Sequence, residues 1–384
     1  MLSFEFSQDH EVFRETLKRF VRERVGPALR AKGNPEEFPW EQYRELAALG
    51  VLGMGLPAEY GGTGEQDFIG LGIAAEELGR ASVSLASTVS TVGVMGGLIA
   101  SAGTPEVRAR YLPGFIGGKE IISLGLTEPE SGSDAAGLRS VAEKVPGGWL
   151  LTGHKNAVSH LGKSVATIVF ARRPGTERGS GVSAFIVELD RPGIHKRQYN
   201  DMGLRDFARG ALALDRVFVP EANLMGDEGK GFGLVLGAFD FARATVSLFC
   251  LGAARASLDE ACDYLKVRET FGRPLTVRQG LTIPLAEHFT QIEACRWLCY
   301  RTLWLRDRNE AHTADASMAK WWGVDIARDA IETALLIHGH GGWSSELPFE
   351  RRFRDVMGFK LGDGSPEIHK LIIAREFIGR EVFG

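Results

Sequence analysis

The chain has 384 residues, long for one hydrophobic core, so two or three domains are expected. An apolar share of 44% and a charged share of 24% fit an ordinary soluble globular protein, and a net charge of −4 excludes the basic footprint of a nucleic-acid binder. All four cysteines lie in the C-terminal half; Cys295 and Cys299 share a helix face, but no histidine cluster completes a metal site, so they read as free thiols of a reducing compartment.

The opening stretch "MLSFEFSQDHEVFRETLKRF" is amphipathic and acidic early, with no apolar core segment, which predicts no signal peptide and a cytoplasmic protein. Residues 8 to about 115 read as helices. "DHEVFRETLKRFVRERV" repeats apolar residues at Val12, Phe13, Leu17, Phe20, Val21 and Val25, and Gly26-Pro27 is expected to end that helix. "WEQYRELAALGVLG" and "FIGLGIAAEELGRA" keep the same period, on either side of the glycine-rich loop "PAEYGGTGEQD". Residues 81–103 carry no charge, yet their many Ser, Thr and Gly suit a tightly packed buried helix better than a membrane span. Gly70-Leu-Gly72 and Gly53-Met-Gly55 imitate a dinucleotide fingerprint but follow no strand of a βαβ unit, which argues against a nicotinamide Rossmann enzyme.

From about Glu120 to Gly226 the texture changes to short β-branched and aromatic runs, "WLLTG", "VATIVFA", "VSAFIVEL" and "ALALDRVFV", bounded by turn residues. No helix fits between them, so antiparallel pairing is expected. The helical period returns in roughly 231–268, 278–310, 313–338 and 366–380, which suggests a four-helix bundle. The reading is thus mainly α with an inserted β domain, divided as 1–119, 120–227 and 228–384. "HGHGGW" at 338–343 reads as a flexible helix end, and no Ser–His–Asp or Cys–His spacing can be argued. In "KLGDGSPEIHKLIIAR", Ser365 suits an N-cap and Pro366 the first helical position, leaving Asp363 as a turn carboxylate near the positive end of a helix dipole.

Five segments in order resemble the acyl-CoA dehydrogenase family of flavoproteins: "LTEPESGSD" (126–134), "VFVPEANLMGDEGKGF" (217–232), "RETFGRPLTVRQ" (268–279), "IHGHGGWSSELPFERRFRD" (337–355) and "GDGSPEIHKLIIAR" (362–375). The resemblance covers nearly the whole chain and implies a helical N-domain, a β-barrel-like middle domain and a C-terminal four-helix bundle. It implies FAD as cofactor, an acyl-CoA substrate, an electron-transfer flavoprotein as acceptor and a homotetramer or homodimer. It places Leu126, Thr127, Gly132, Ser133, Val158 and Ser159 at the flavin, with Ser133 also touching substrate. Arg268, Thr270, Phe271, Gln279 and Gly339 fall where the family holds the pyrophosphate and adenine end, commonly of a neighbouring subunit's FAD; a guanidinium suits phosphate because its planar donors match two oxygens. Ser365 and Glu367 also match cofactor positions, and Asp240, Arg243 and Gly364 match the substrate side. An i, i+3 ion pair between Asp240 and Arg243 is an equally good reading of "FDFAR". Asp363 falls where many members carry the catalytic glutamate, which implies a dry carboxylate facing the α-carbon of a thioester.

The chain departs from the family pattern in ways that bear on chemistry. Asp363 is one methylene shorter than glutamate, and Ala242 fills the alternative base position. Ala157-Val158-Ser159 lacks the tryptophan beside the flavin; Leu336 replaces a glutamine and His340 a glycine of the Gln-x-x-Gly-Gly motif. Gly362 stands where an aromatic often precedes the base. The shorter base and missing ring enlarge the pocket, and a branched or alicyclic acyl group is the expectation. A nitroalkane oxidase-like flavin oxidase, a carrier-protein thioester dehydrogenase and a non-catalytic binding scaffold remain alternatives.

Overall fold

The computed structural model describes residues 5–32, 37–379 and 381; residues 1–4 of the amphipathic opening stretch lie outside these. Helices α1 (Gln8–Phe20), α2 (Gly26–Lys32), α3 (Trp40–Ala48), α4 (Phe68–Gly79), α5 (Val83–Thr91), α6 (Gly97–Ala102) and α7 (Pro105–Ile116) come first. Ser7, Asp67, Ser82 and Thr104 cap α1, α4, α5 and α7, each side chain accepting a backbone N–H three residues on. Gly26-Pro27 does not end the first helix. A π turn over Val21–Val25 shifts the register, Gly26 N–H bonding back to Val21, and α2 continues from there. That shift disrupts the i→i−4 ladder just where the proline's missing donor would otherwise have broken it.

The uncharged segment is helical and mostly buried, with its own π turn at Val92–Gly96. It and the later helix α8 (Gly231–Val267) are the two described helices long and apolar enough to cross a membrane, and both are largely covered by protein. Helices α4 and α8 meet backbone to backbone. A Cβ on Gly79 would lie 2.2 Å from the Phe249 carbonyl oxygen, and one on Gly252 2.2 Å from that of Glu76. Gly72 and Gly79 of "FIGLGIAAEELG" therefore serve helix packing.

Strands β1 (Ile122–Gly125), β2 (Val141–Val145), β3 (Gly148–Val158), β4 (Ala166–Arg172), β5 (Val182–Glu188), β6 (Ile194–Gln198), β7 (Gly210–Pro220) and β8 (Leu224–Met225) form one sheet in the order β6-β7-β3-β2-β4-β5-β8, with β1 on β4. Pairing is mostly antiparallel as expected, but β1 runs parallel to β4, Ile122 opposite Ala166, because it enters from α7 rather than through a hairpin. The apolar runs of β4 and β5 are continuous because both faces are covered. Ile168, Phe170 and Ile186 join the helical core, while Val169, Ala171, Phe185 and Val187 fill a second core within the sheet domain around Trp149 and Leu214.

After α8 come the short strands β9 (Glu269–Thr270) and β10 (Arg273–Pro274), then α9 (Gln279–Asp307), α10 (Thr313–Ile337), α11 (His340–Trp343), α12 (Phe349–Leu361) and α13 (Pro366–Ile378). The sequence reading contains no α12, and it takes the α11 turn for flexible loop. The buried stripe of α12, Phe349, Arg352, Asp355, Val356 and Phe359, includes two charges, which hides its helical period. Those charges have partners: Arg352 bonds Glu260 at 3.0 and 3.1 Å, and Asp355 accepts the Leu204 N–H at 2.6 Å.

Candidate active site

The Gly362–Gly364 loop joins α12 to α13, whose first turn is set by the Ser365 cap and Pro366. Asp363 has φ +57° and Gly364 φ +96°, so two successive residues are left-handed. A Cβ on Gly364 would lie 2.9 Å from His369 Nε2, so only glycine fits there. The Asp363 side chain is exposed in this chain. This corrects the expectation of a dry carboxylate: its neighbours are glycines, and the ring that would cover it is absent at Gly362. Two buried cations feel its charge. Burial lowers the Arg243 and Lys320 pKa values, Lys320 to about 8, and Asp363 pushes both back up.

Arg243 forms the i, i+3 ion pair with Asp240, whose second oxygen accepts from Thr313 Oγ1 at 2.7 Å. Asp240 is therefore occupied in holding Arg243, while the buried Arg243 Nε finds no hydrogen-bond partner among the described residues. Ala242 is buried beside it, with no carboxylate at the alternative base position.

Leu126 and Thr127 continue from the end of β1, and Asn156 N–H donates to the Thr127 carbonyl at 2.8 Å, drawing them beside Ala157–Ser159. Ala157 takes φ +56° and a register shift follows between Lys155 and Val158, so the strand bulges outward here. Beneath lies a buried ion pair: Lys155 Nζ donates to Glu128 at 2.6 Å and to the Leu126 carbonyl at 3.3 Å. Glu128 also accepts from the Arg139 and Ser140 amides at 2.5 and 3.0 Å, pinning the turn that exposes Gly132 and Ser133. Val158 is fully buried in the sheet core, while its neighbours Ala157 and Ser159 are not. This edge offers backbone groups and the hydroxyls of Thr127, Ser133 and Ser159 without charge, and a Cβ built on Gly132 meets nothing within 4 Å. Such a donor set fits the neutral ring of a flavin. A line of aromatic contacts runs from it to α12, the helix before the Asp363 loop: His160 lies 4.5 Å from Phe207, itself 6.2 Å from Phe359.

The remaining cofactor candidates are elsewhere. Arg268 caps the end of α8, 25 residues beyond Arg243, and at 1.5 Å per residue the two are about 37 Å apart. Thr270, Phe271 and Gln279 follow it, and Gly339 ends α10, where His338 stacks on Tyr264 near the same end of α8. One chain thus does not bring this group to Asp363, while Ser365 and Glu367 do lie beside the loop. Phe271 is 95% exposed at φ +54°, with Val267, Val277, Leu336 and Trp343 also exposed nearby. Asp263, one turn before Arg268, pairs with Lys266 at 2.9 Å. A cavity of about 490 Å³ lined by Lys18, Arg22, Glu76 and Arg296 includes none of the predicted site residues. Glu128, Lys155, Lys320 and His369 were not singled out from the sequence. Their signal was there: Lys320 is a lone charge on a face of small residues, with Ala316, Gly323 and Ala327.

Helices before and after a mostly antiparallel sheet frame a loop whose carboxylate, Asp363, lies near the two buried cations Arg243 and Lys320. Sequence models of the acyl-CoA dehydrogenase N-terminal, middle and C-terminal domains match residues 7–119, 123–217 and 229–378. An acyl-CoA dehydrogenase of Bacillus subtilis (strain 168) is 34% identical over 97% of this chain and 99% of its own length. The structure of butyryl-CoA dehydrogenase from Megasphaera elsdenii superposes with a TM-score of 0.93 at 29% identity, covering 98% of this chain and 100% of that one. A structure described as an electron transferring flavoprotein of Acidaminococcus fermentans gives 0.94 at 27% identity, over 98% and 100%. The chain belongs to the acyl-CoA dehydrogenase family, and it is an oxidoreductase acting on acyl-CoA.

Proposed function

We propose that the chain desaturates an acyl-CoA thioester between its α and β carbons, with Asp363 taking the α-proton. The observation that carries this reading is the left-handed loop that presents Asp363 beside the buried cations Arg243 and Lys320. A carboxylate can take a proton from a carbon held within hydrogen-bond reach, and an acyl chain laid over the loop would exclude water from that contact. Bound FAD would supply the acceptor for the β-hydride. Leu126, Thr127, Gly132, Ser133, Val158 and Ser159 would hold its ring side, with Ser365 and Glu367 close by. Arg268, Thr270, Phe271, Gln279 and Gly339 would serve the pyrophosphate and adenine side from a second copy, since one chain cannot span the distance. A homotetramer or homodimer follows, and the exposed Val267, Phe271, Leu336 and Trp343 offer it apolar surface. An electron-transfer flavoprotein is the proposed acceptor and the cytoplasm the proposed compartment.

The short base and Gly362 favour a branched or alicyclic acyl group over a straight chain. Anaerobic bleaching of the flavin by a panel of acyl-CoA esters tests both points. Bulky esters should bleach the wild-type protein fastest, and Asp363→Asn should keep its flavin yet bleach slower by roughly three orders of magnitude or more. Unchanged bleaching in the variant would move the base elsewhere, and faster bleaching by straight chains would remove the branched-substrate reading.

A further inference from the structure

The loop that carries Asp363 is held from below by side chains that the family reading does not assign. Lys320, on α10 and 1% exposed, donates from Nζ to the carbonyls of Phe359, Gly362 and Gly364 at 2.7, 2.6 and 2.6 Å. Its three protons are all used, which requires the ammonium form, since a neutral amine has only two. His369, on α13 and fully buried, stands 3.1 Å by Nε2 from the Asp363 carbonyl. A carbonyl only accepts, so Nε2 carries the hydrogen, and the buried Nδ1 has no hydrogen-bond partner among the described residues. Burial holds this imidazole neutral, with a pKa near 3, so the contact persists at any working pH.

The carbonyls of Gly362, Asp363 and Gly364 are successive, and every one is taken by a buried side chain from another part of the C-terminal domain. Left-handed backbone at an aspartate is costly for a residue with a Cβ and persists only where surroundings over-determine it. Here the determining groups are visible. We propose that Lys320 and His369 are positioning residues: they fix the backbone of the Gly362–Gly364 loop and thereby aim the Asp363 carboxylate. The proposal rests on Asp363 being the base. It assigns Lys320 a geometric task beyond charge, and it explains why a shortened base can work, since a shorter side chain needs a better-fixed backbone.

The test compares Lys320→Met, His369→Leu, His369→Gln and Asp363→Asn as flavin-loaded full-length proteins. Flavin content and thermal unfolding are recorded first. Exchange of the substrate α-hydrogen with D₂O, followed by NMR, then reads proton removal alone, beside kcat and KM. Lys320→Met should retain flavin and lose about 100-fold in exchange and kcat, as expected for a base misplaced by an ångström, while KM changes much less. His369→Leu should lose roughly 10-fold, the worth of about one hydrogen bond. His369→Gln, which can still donate to the Asp363 carbonyl, should recover most of that loss. Exchange at the wild-type rate in Lys320→Met, or equal losses in His369→Leu and His369→Gln, would overturn the clamp. If Lys320→Met does not fold, the two histidine variants decide alone. Wild-type exchange in Asp363→Asn would instead remove the base assignment and leave the clamp's geometry without that purpose.

Discussion

Lys155 shows how much of a site can rest on one buried residue. It is 0% exposed, and burial depresses its pKa to about 8 even though Glu128 pulls it up. Removing one partner of such a pair leaves an uncompensated buried charge. Lys155→Met is therefore expected to destabilise the protein by about 3–5 kcal/mol in urea unfolding. Because Lys155 also holds the Leu126 carbonyl, flavin occupancy should fall in the same variant, measured by the absorbance ratio of ring to protein. A stability loss with full flavin occupancy would confine the pair to folding. Asp363 obeys a different logic. It is exposed, so it adds little to stability, and its replacement should be felt in chemistry alone.

Between elements, the informative junction is where the sheet domain, α5 and α12 meet. Asp206 and Asp355 are both buried there; burial raises them to about 6 and about 7, with Arg351 pulling each down. Each starts from 3.8, so the folded protein binds protons that the unfolded chain has released. The stability this pair contributes is full below about pH 4 and is lost as pH rises toward 7. Asp355→Asn can still accept from the Leu204 amide and should gain on the wild type across pH 5 to 8, by roughly 1–3 kcal/mol in parallel denaturation series. A constant difference across that range would show that Asp355 does not titrate there.

The same elements show what the sequence disclosed. The α13 start was readable because Ser365 and Pro366 carry their capping chemistry locally, and α8, α9 and α10 were readable from period alone. Helix α12 was not, because Arg352 and Asp355 sit on its buried face and their partners come from Glu260 and Leu204, far along the chain. Gly26-Pro27 misled because a π turn is a register change that composition does not announce. At the site, the position of Asp363 came from its motif. The hydrogen bonds to its loop came from tertiary neighbours, Lys320 and His369, and no local pattern links Lys320 to it.

At the scale of the molecule, roughly 37 Å of α8 lies between Arg243 and Arg268, which the proposed function assigns to the substrate and cofactor sides of a site shared by two copies. Co-assembling two inactive variants tests this. Chains carrying Asp363→Asn and chains carrying Arg268→Glu should each be nearly dead alone. Mixed oligomers should regain part of the activity, on the order of a quarter of wild type, because some sites draw an intact Asp363 from one chain and an intact Arg268 from the other. No recovery on mixing would mean that each chain completes its own site.

The continuity of α8 makes it a ruler. Because it is one unbroken rod of 37 residues, inserting a single residue at its middle would turn one end against the other by about 100° and lengthen it by about 1.5 Å. Side chains at either end of the rod can therefore be exchanged one at a time, yet the rod itself cannot be lengthened without putting its two ends out of phase.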